Sequence, residues 1–161
     1  MAIIVGTESY ASVAEADIYW ANRANGTWSA ASIADKEKAL RFATEFIDGT
    51  YDGRWIGEHP GSTAQVLAWP RNGAIDSEGR IATGIPQRVA DATARLALEA
   101  LTDFLSGAED RGGRIARAKV GPLDVGYFRD APAGTAFPFL DLMLKPLLIA
   151  GSSGGGPLVR V

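Results

Sequence analysis

The chain has 161 residues, 47% of them hydrophobic and 22% charged, with a formal net charge of −3 and no cysteine. A single domain of that length buries roughly 68–70% of the surface its unfolded form exposes, enough for a core without disulfides or metal. The composition excludes a disulfide scaffold, a thiolate metal site and a cysteine nucleophile, and the acidic balance argues against a general nucleic-acid binder, which carries a basic excess.

The opening MAIIVGTESY has neither the basic stretch nor the long apolar stretch of a secretory signal. The apolar runs are too short and broken to span a bilayer, so a cytosolic protein with no membrane partner is expected. No internal repeat is visible, which argues against a solenoid or propeller.

The first predicted helix begins at Ser12, which with Glu15 forms a capping box. Val13, Ala16 and Trp20 follow helical spacing, and Asn22 to Gly26 closes the segment. A second helix is predicted from Ser32 to Asp48, with Ala39, Phe42, Ala43, Phe46 and Ile47 in its apolar stripe and Gly49 as a C′ residue of positive φ. A third runs from Pro86 to Gly107, with Val89, Thr93, Leu96, Ala97, Ala100, Leu101 and Phe104 on one face. About 20 residues make it roughly 30 Å long, the spine of the fold.

Between the second and third helices lies an irregular stretch, Tyr51 to Ile85, that carries Trp55, Trp69, Pro60 and Pro70. A loop this long usually has a function of its own, and its tryptophans argue against disorder. Trp55, Trp69 and Arg71 are its candidate interface residues, and the alternative is that the two indoles plug the core.

After Gly107 the period changes. Residues 114–128 alternate around Gly121-Pro122, the pattern of a short β-hairpin that must lean on helices or a neighbour. Phe137 to Ile149 is apolar, with Pro138 suited to a helix start and Pro146 to its end. Gly151 to Gly156 reads as a flexible linker with a reach of roughly 13 Å. It tethers the strand-forming tip Pro157, Leu158, Val159, Arg160 and Val161, expected to dock on a partner by strand addition. The predicted fold is mainly α, a small bundle of three to four helices over residues 1–150 with a short hairpin, and residues 151–161 are an extended docking tail.

Catalytic chemistry has little to stand on. His59 is the only histidine and sits in a loop. Gly151-Ser152-Ser153-Gly154-Gly155 matches a nucleophile elbow in letters, but it lacks the strand before and the helix after that an elbow needs. No phosphate-cradling or dinucleotide fingerprint occurs. Glu37, Glu109 and Asp110 are not paired into an acid and a base, and the sequon Asn25-Gly26-Thr27 carries no meaning outside a secretory context. The expectation is no catalytic residue, no metal and no cofactor.

Arg111, Arg114, Arg117 and Lys119 form the one basic cluster. They read either as a solvated strand face or as a patch that binds DNA phosphates or a neighbour's acidic surface, sequence-blind and salt-sensitive. Single-stranded DNA calls for aromatic rings beside such a groove; Tyr127 and Phe128 are near, but Tyr127 follows the Leu123 and Val125 face and reads as core.

Six segments taken in order resemble a known family: Tyr10-Ala-Ser-Val-Ala-Glu-Ala-Asp, Lys38-Ala-Leu-Arg-Phe-Ala-Thr-Glu-Phe-Ile-Asp, Gln65-Val-Leu-Ala-Trp-Pro-Arg, Ile85-Pro-Gln-Arg-Val-Ala-Asp-Ala, Lys119-Val-Gly-Pro-Leu-Asp-Val and Leu140-Asp-Leu-Met-Leu-Lys-Pro-Leu-Leu. Together they are similar to the head-to-tail adaptors, or connectors, of tailed phages, some of which are labelled DnaT-like ssDNA-binding proteins. The resemblance implies a viral structural protein of the virion neck, made in the host cytoplasm. It implies a dodecameric ring of identical copies between the portal protein and a stopper or tail-completion protein. The C-terminal tail would reach the portal, and double-stranded DNA would pass the lumen without sequence specificity. The DnaT-like label implies single-stranded-DNA binding instead.

Overall fold

The computed structural model describes residues 2–61, 65–102, 117–120, 123–126 and 137–149. The chain divides into two units, Met1–Leu105 with Phe137–Val161, and Ser106–Ala136.

In the first unit, helix α1 (Val13–Ala21) starts on the expected capping box. The Ser12 hydroxyl accepts the Glu15 N–H at 3.2 Å, and the Glu15 carboxylate accepts the Ser12 N–H at 2.7 Å. A short helix α2 (Gly26–Ala30) follows, capped by Asn25, whose Oδ1 accepts the Trp28 N–H at 2.9 Å. The expected stop at Gly26 is therefore a restart. One turn this short is held by burial of the Trp28 ring rather than by helix propensity.

Helix α3 (Ile33–Tyr51) is capped by Ser32, which accepts the Asp35 N–H at 3.2 Å. Gly49 is not its C′ residue but lies inside it. The helix continues because Tyr51 is buried, with its ring 5.6 Å from Trp55 and its hydroxyl donating to Asp141 at 2.9 Å. These contacts outweigh the roughly 1 kcal/mol that a helical glycine costs.

Helix α4 (Gln87–Thr102) opens immediately after Pro86, whose carbonyl accepts the Val89 N–H at 2.8 Å. Its expected end at Gly107 lies outside the described residues. Helix α5 (Pro138–Leu144) has proline in its first turn and runs into a 3-10 turn, Lys145–Leu147, set by Pro146.

Helix α4 is the axle of this unit. It packs most extensively on α3 and also meets α1 and α5. Val89, Ala90, Ala92, Thr93, Ala94, Leu96 and Ala97 are all buried, so burial extends beyond one amphipathic stripe. The alanines let neighbouring helices approach closely, and Trp20 of α1 donates its Nε1–H to the Ala94 carbonyl at 2.9 Å.

The second unit contains a two-stranded antiparallel ladder, β1 (Arg117–Val120) and β2 (Leu123–Gly126). The register pairs Arg117 with Gly126 and Lys119 with Asp124, so these four positions share one face. Ala118, Val120, Leu123 and Val125 share the other. The structure is mainly helical with little strand, as the sequence pattern predicts.

Candidate functional site

The stretch between α3 and α4 carries no helix among its described residues, yet it is pinned at many points. Its first segment pairs with the end of the α5 region: Ile56 N–H donates to Leu147 O at 3.1 Å, and Ile149 N–H donates to Arg54 O at 2.8 Å. Glu58 and Asn72 exchange two backbone hydrogen bonds of 2.8 Å. This close approach requires glycine at position 57, where φ is +71°. A Cβ there would lie 2.7 Å from the Asn72 carbonyl oxygen and 2.8 Å from Ala74 Cα.

Three of the candidate interface residues organise this loop from within. Trp55 and Trp69 are 2% and 0% exposed and meet edge to face at 5.8 Å. Their rings belong to the core, the alternative set out for them, and offer no outer contact surface in this fold. Neither indole N–H has a hydrogen-bond partner among the described residues. Arg71 turns its guanidinium inward as a fork. Nε donates to Ile56 O and one terminal nitrogen to Gly57 O, both at 2.9 Å, and the other terminal nitrogen reaches Ala68 O at 3.4 Å.

A polar cluster fastens the loop to α3. The Tyr10 hydroxyl donates to Asp48 Oδ1 and accepts the Trp69 N–H at 3.3 Å. Asp48 Oδ2 accepts the Ala68 N–H at 3.1 Å. Burial raises the Asp48 pKa above the usual carboxylate range, and the bonds from Tyr10 and Ala68 partly offset the rise. Burial also raises the Tyr10 phenol, helped by the neighbouring Asp48 charge.

His59 has a structural occupation. Gly61 N–H donates to its Nδ1 at 3.2 Å, and its Nε2 lies 3.3 Å from the Leu67 carbonyl oxygen. The ring thus staples two parts of one loop. Among the described residues no three His, Asp or Glu side chains come together as a metal site.

A groove of about 480 Å³ lies against α1, α2 and the start of α3, lined in part by Trp20, Asn25, Ser29 and Lys36. Asp17 Oδ1 accepts both the Lys36 ammonium at 2.9 Å and Trp28 Nε1–H at 2.7 Å, and the Ser29 hydroxyl is spent on Gly26 O at 3.0 Å. The groove therefore displays a neutralised pair and no activated nucleophile.

Three large aliphatic side chains of the loop, Val66, Ile75 and Ile81, are exposed. Ile75 and Ile81 form an antiparallel bridge that closes over the turn Asp76–Arg80. Asp76 N–H donates to Arg80 O at 2.9 Å, and the Asp76 carboxylate accepts the N–H groups of Glu78 and Arg80, both at 2.9 Å. Those backbone bonds, the one from Arg80 foremost, hold the Asp76 pKa below the usual carboxylate range. Sequence reasoning missed this pair. The available signal was the turn-forming Asp-Ser-Glu-Gly set between two isoleucine-bearing segments.

The remaining candidates fall in other parts of the chain. Arg117 and Lys119 share one face of the β1–β2 ladder, while Arg111 and Arg114 lie outside the described residues. Pro157, Leu158, Val159, Arg160 and Val161 lie outside them as well.

A family model described as "Putative DnaT-like ssDNA binding protein" matches residues 2–161. No curated protein and no solved structure matches the chain. Since the match spans all but the first residue, the chain belongs to the DnaT-like ssDNA-binding protein family.

Proposed function

We propose that the chain is a structural adaptor subunit rather than an enzyme: one copy in a phage neck ring that joins the portal to a stopper or tail-completion protein around the DNA channel. The observation that carries this reading is the character of the described surface. Its large exposed apolar side chains are all aliphatic, among them Ile18, Ile33, Ile75, Ile81 and Leu142. Aliphatic exposure suits contact with other proteins.

The same surface is poorly equipped to grip single-stranded DNA, which calls for open aromatic rings beside free cations. All four tryptophans are buried, and so are Tyr10, Tyr19 and Tyr51. Many cations are committed to internal partners: Lys36 to Asp17, Arg41 to Glu8, Arg71 to three carbonyls and Arg80 to Asp76. Arg23 lies over the Tyr19 ring at 3.5 Å and Arg95 over Phe139 at 4.5 Å.

The test is a mass measurement by light scattering of the full chain alone and with the portal protein. The adaptor reading expects a complex with many copies per portal ring, and loss of Pro157–Val161 should abolish it. A chain that leaves the portal unbound at high protein concentration refutes it.

Single-stranded-DNA binding is the second reading, favoured by the family description and by Arg117 and Lys119 on one ladder face. Titration of a labelled oligonucleotide at several salt concentrations decides it. A steep salt slope that shrinks in Arg117→Glu supports it, and no binding at physiological salt removes it.

A further inference from the structure

Among the described residues the Ile75–Ile81 bridge leaves its outer strand edges unpaired. Its hydrogen bonds run from Asp76 N–H to Arg80 O and from Ala82 N–H to Ala74 O, both at 2.9 Å. Ile75 and Ile81 are therefore the pair between them, with their own N–H and C=O groups pointing away from each other along the two outer edges. No hydrogen bond to those four groups occurs among the described residues. The two side chains stand side by side on one face, 54% and 73% exposed. Free backbone groups beside an aliphatic pair are what an added strand requires.

The same chain carries a sequence that fits such an added strand. Val159 and Val161 alternate with Arg160, so both valines fall on one face of an extended segment. The leash to that segment begins beside the hairpin. Ser77 N–H, in the Ile75–Ile81 turn, donates to Pro146 O at 3.2 Å, and Ile149 follows three residues later. Allowing about 3.5 Å per residue, Ile149 lies within roughly 20 Å of Ile75. The eight residues 150–157 span up to about 28 Å when extended, so the tip reaches. A tether of eight residues also gives its tip an effective concentration on the order of millimolar, far above that of a second molecule in dilute solution.

We infer that in the free subunit residues 157–161 add as a strand to an outer edge of the Ile75–Ile81 hairpin of their own chain, with Val159 and Val161 on the same face as the two isoleucines. This does not depend on the neck-ring reading. If that reading holds, the portal has first to lift the tail from its own subunit, so the exposed edge acts as a parking place that sets the threshold for docking.

Because the natural chain has no cysteine, engineered thiols report the contact cleanly. Full-length chains carrying Val159→Cys with Ile75→Cys, and Val159→Cys with Ile81→Cys, are oxidised at low micromolar concentration. Their disulfide formation is compared with that of Val159→Cys with Ile18→Cys, where Ile18 is an exposed position on α1. All variants are checked for unchanged helical content. The inference expects one of the two hairpin pairs to close within the monomer about tenfold faster than the control, at a rate independent of protein concentration. Disulfides that form only between molecules assign the edge to a neighbour's tail and overturn it. Rates equal to the control overturn it as well.

Discussion

Removing a single oxygen atom tests the fastening of the loop to α3. In Tyr10→Phe the ring still fills its place, but Asp48 loses the hydroxyl donor and the buried Trp69 N–H loses its acceptor. A hydrogen bond to a charged group contributes about 1.5–3 kcal/mol, and a stranded buried donor costs about 1–3 kcal/mol, so the variant should lose roughly 2–4 kcal/mol at neutral pH. For a chain of this size that lowers the melting temperature by roughly 4–16 °C. The loss should also depend on pH. The folded pKa of Asp48 is raised, so its contribution to stability is fully present below the ordinary aspartate value and declines as pH rises through the folded value. The Tyr10 hydroxyl works against that rise, so its removal moves the folded value still higher and makes the decline larger. Urea unfolding of both proteins at neutral pH and at about pH 4 should therefore show a smaller difference at the acid condition. A cost under about 0.5 kcal/mol at neutral pH, or the same cost at both, would refute the bonding described for this cluster.

Gly57→Ala should destabilise by about 2 kcal/mol or more, since it adds strain at positive φ to a collision with the Asn72 and Ala74 backbone; a denaturant midpoint equal to that of the natural chain contradicts the close approach. Arg71→Lys keeps the charge but loses the fork onto Ile56, Gly57 and Ala68, and should cost about 1–3 kcal/mol with faster proteolysis of the loop than of the helices. Asp76→Asn should make the 75–81 turn insensitive to acid. The natural Asp76 has a lowered pKa, so its contribution is present above the ordinary carboxylate range and lost as pH falls through the folded value, which amide exchange at Glu78 and Arg80 reads directly. Trp20→Phe should lose about 1 kcal/mol with the bond to Ala94, and calorimetry at neutral pH measures it.

What was legible in the sequence was mostly local. Ser12 with Glu15, and Ser32 with Asp35, mark helix starts because the capping bonds form within four residues. Pro86 marks a third start and the Pro138–Pro146 pair brackets α5 for the same reason. Helix ends and short elements were less legible because distant partners decide them. Tyr51 draws α3 past Gly49 through Trp55 and Asp141, and burial of Trp28 draws out a five-residue helix that propensity alone does not support. The loop shows the same limit. Its tryptophans are as prominent in the sequence as an interface would make them, but Tyr10, Asp48 and Arg71 hold the backbone so that both rings turn inward. Ile75 and Ile81, which do face outward, carried no contrast against an apolar background.

The crowding around α4 bears on how such a chain can change over time. A helix that buries alanine toward more than one neighbour sets the spacing of all of them. Enlarging Ala92 or Ala94 by even a methyl group would have to be absorbed by α1, α3 or α5 together. Innovation in partners or specificity is therefore channelled into the segments that hang from this axle, where side chains can be exchanged one at a time without moving the frame that presents them.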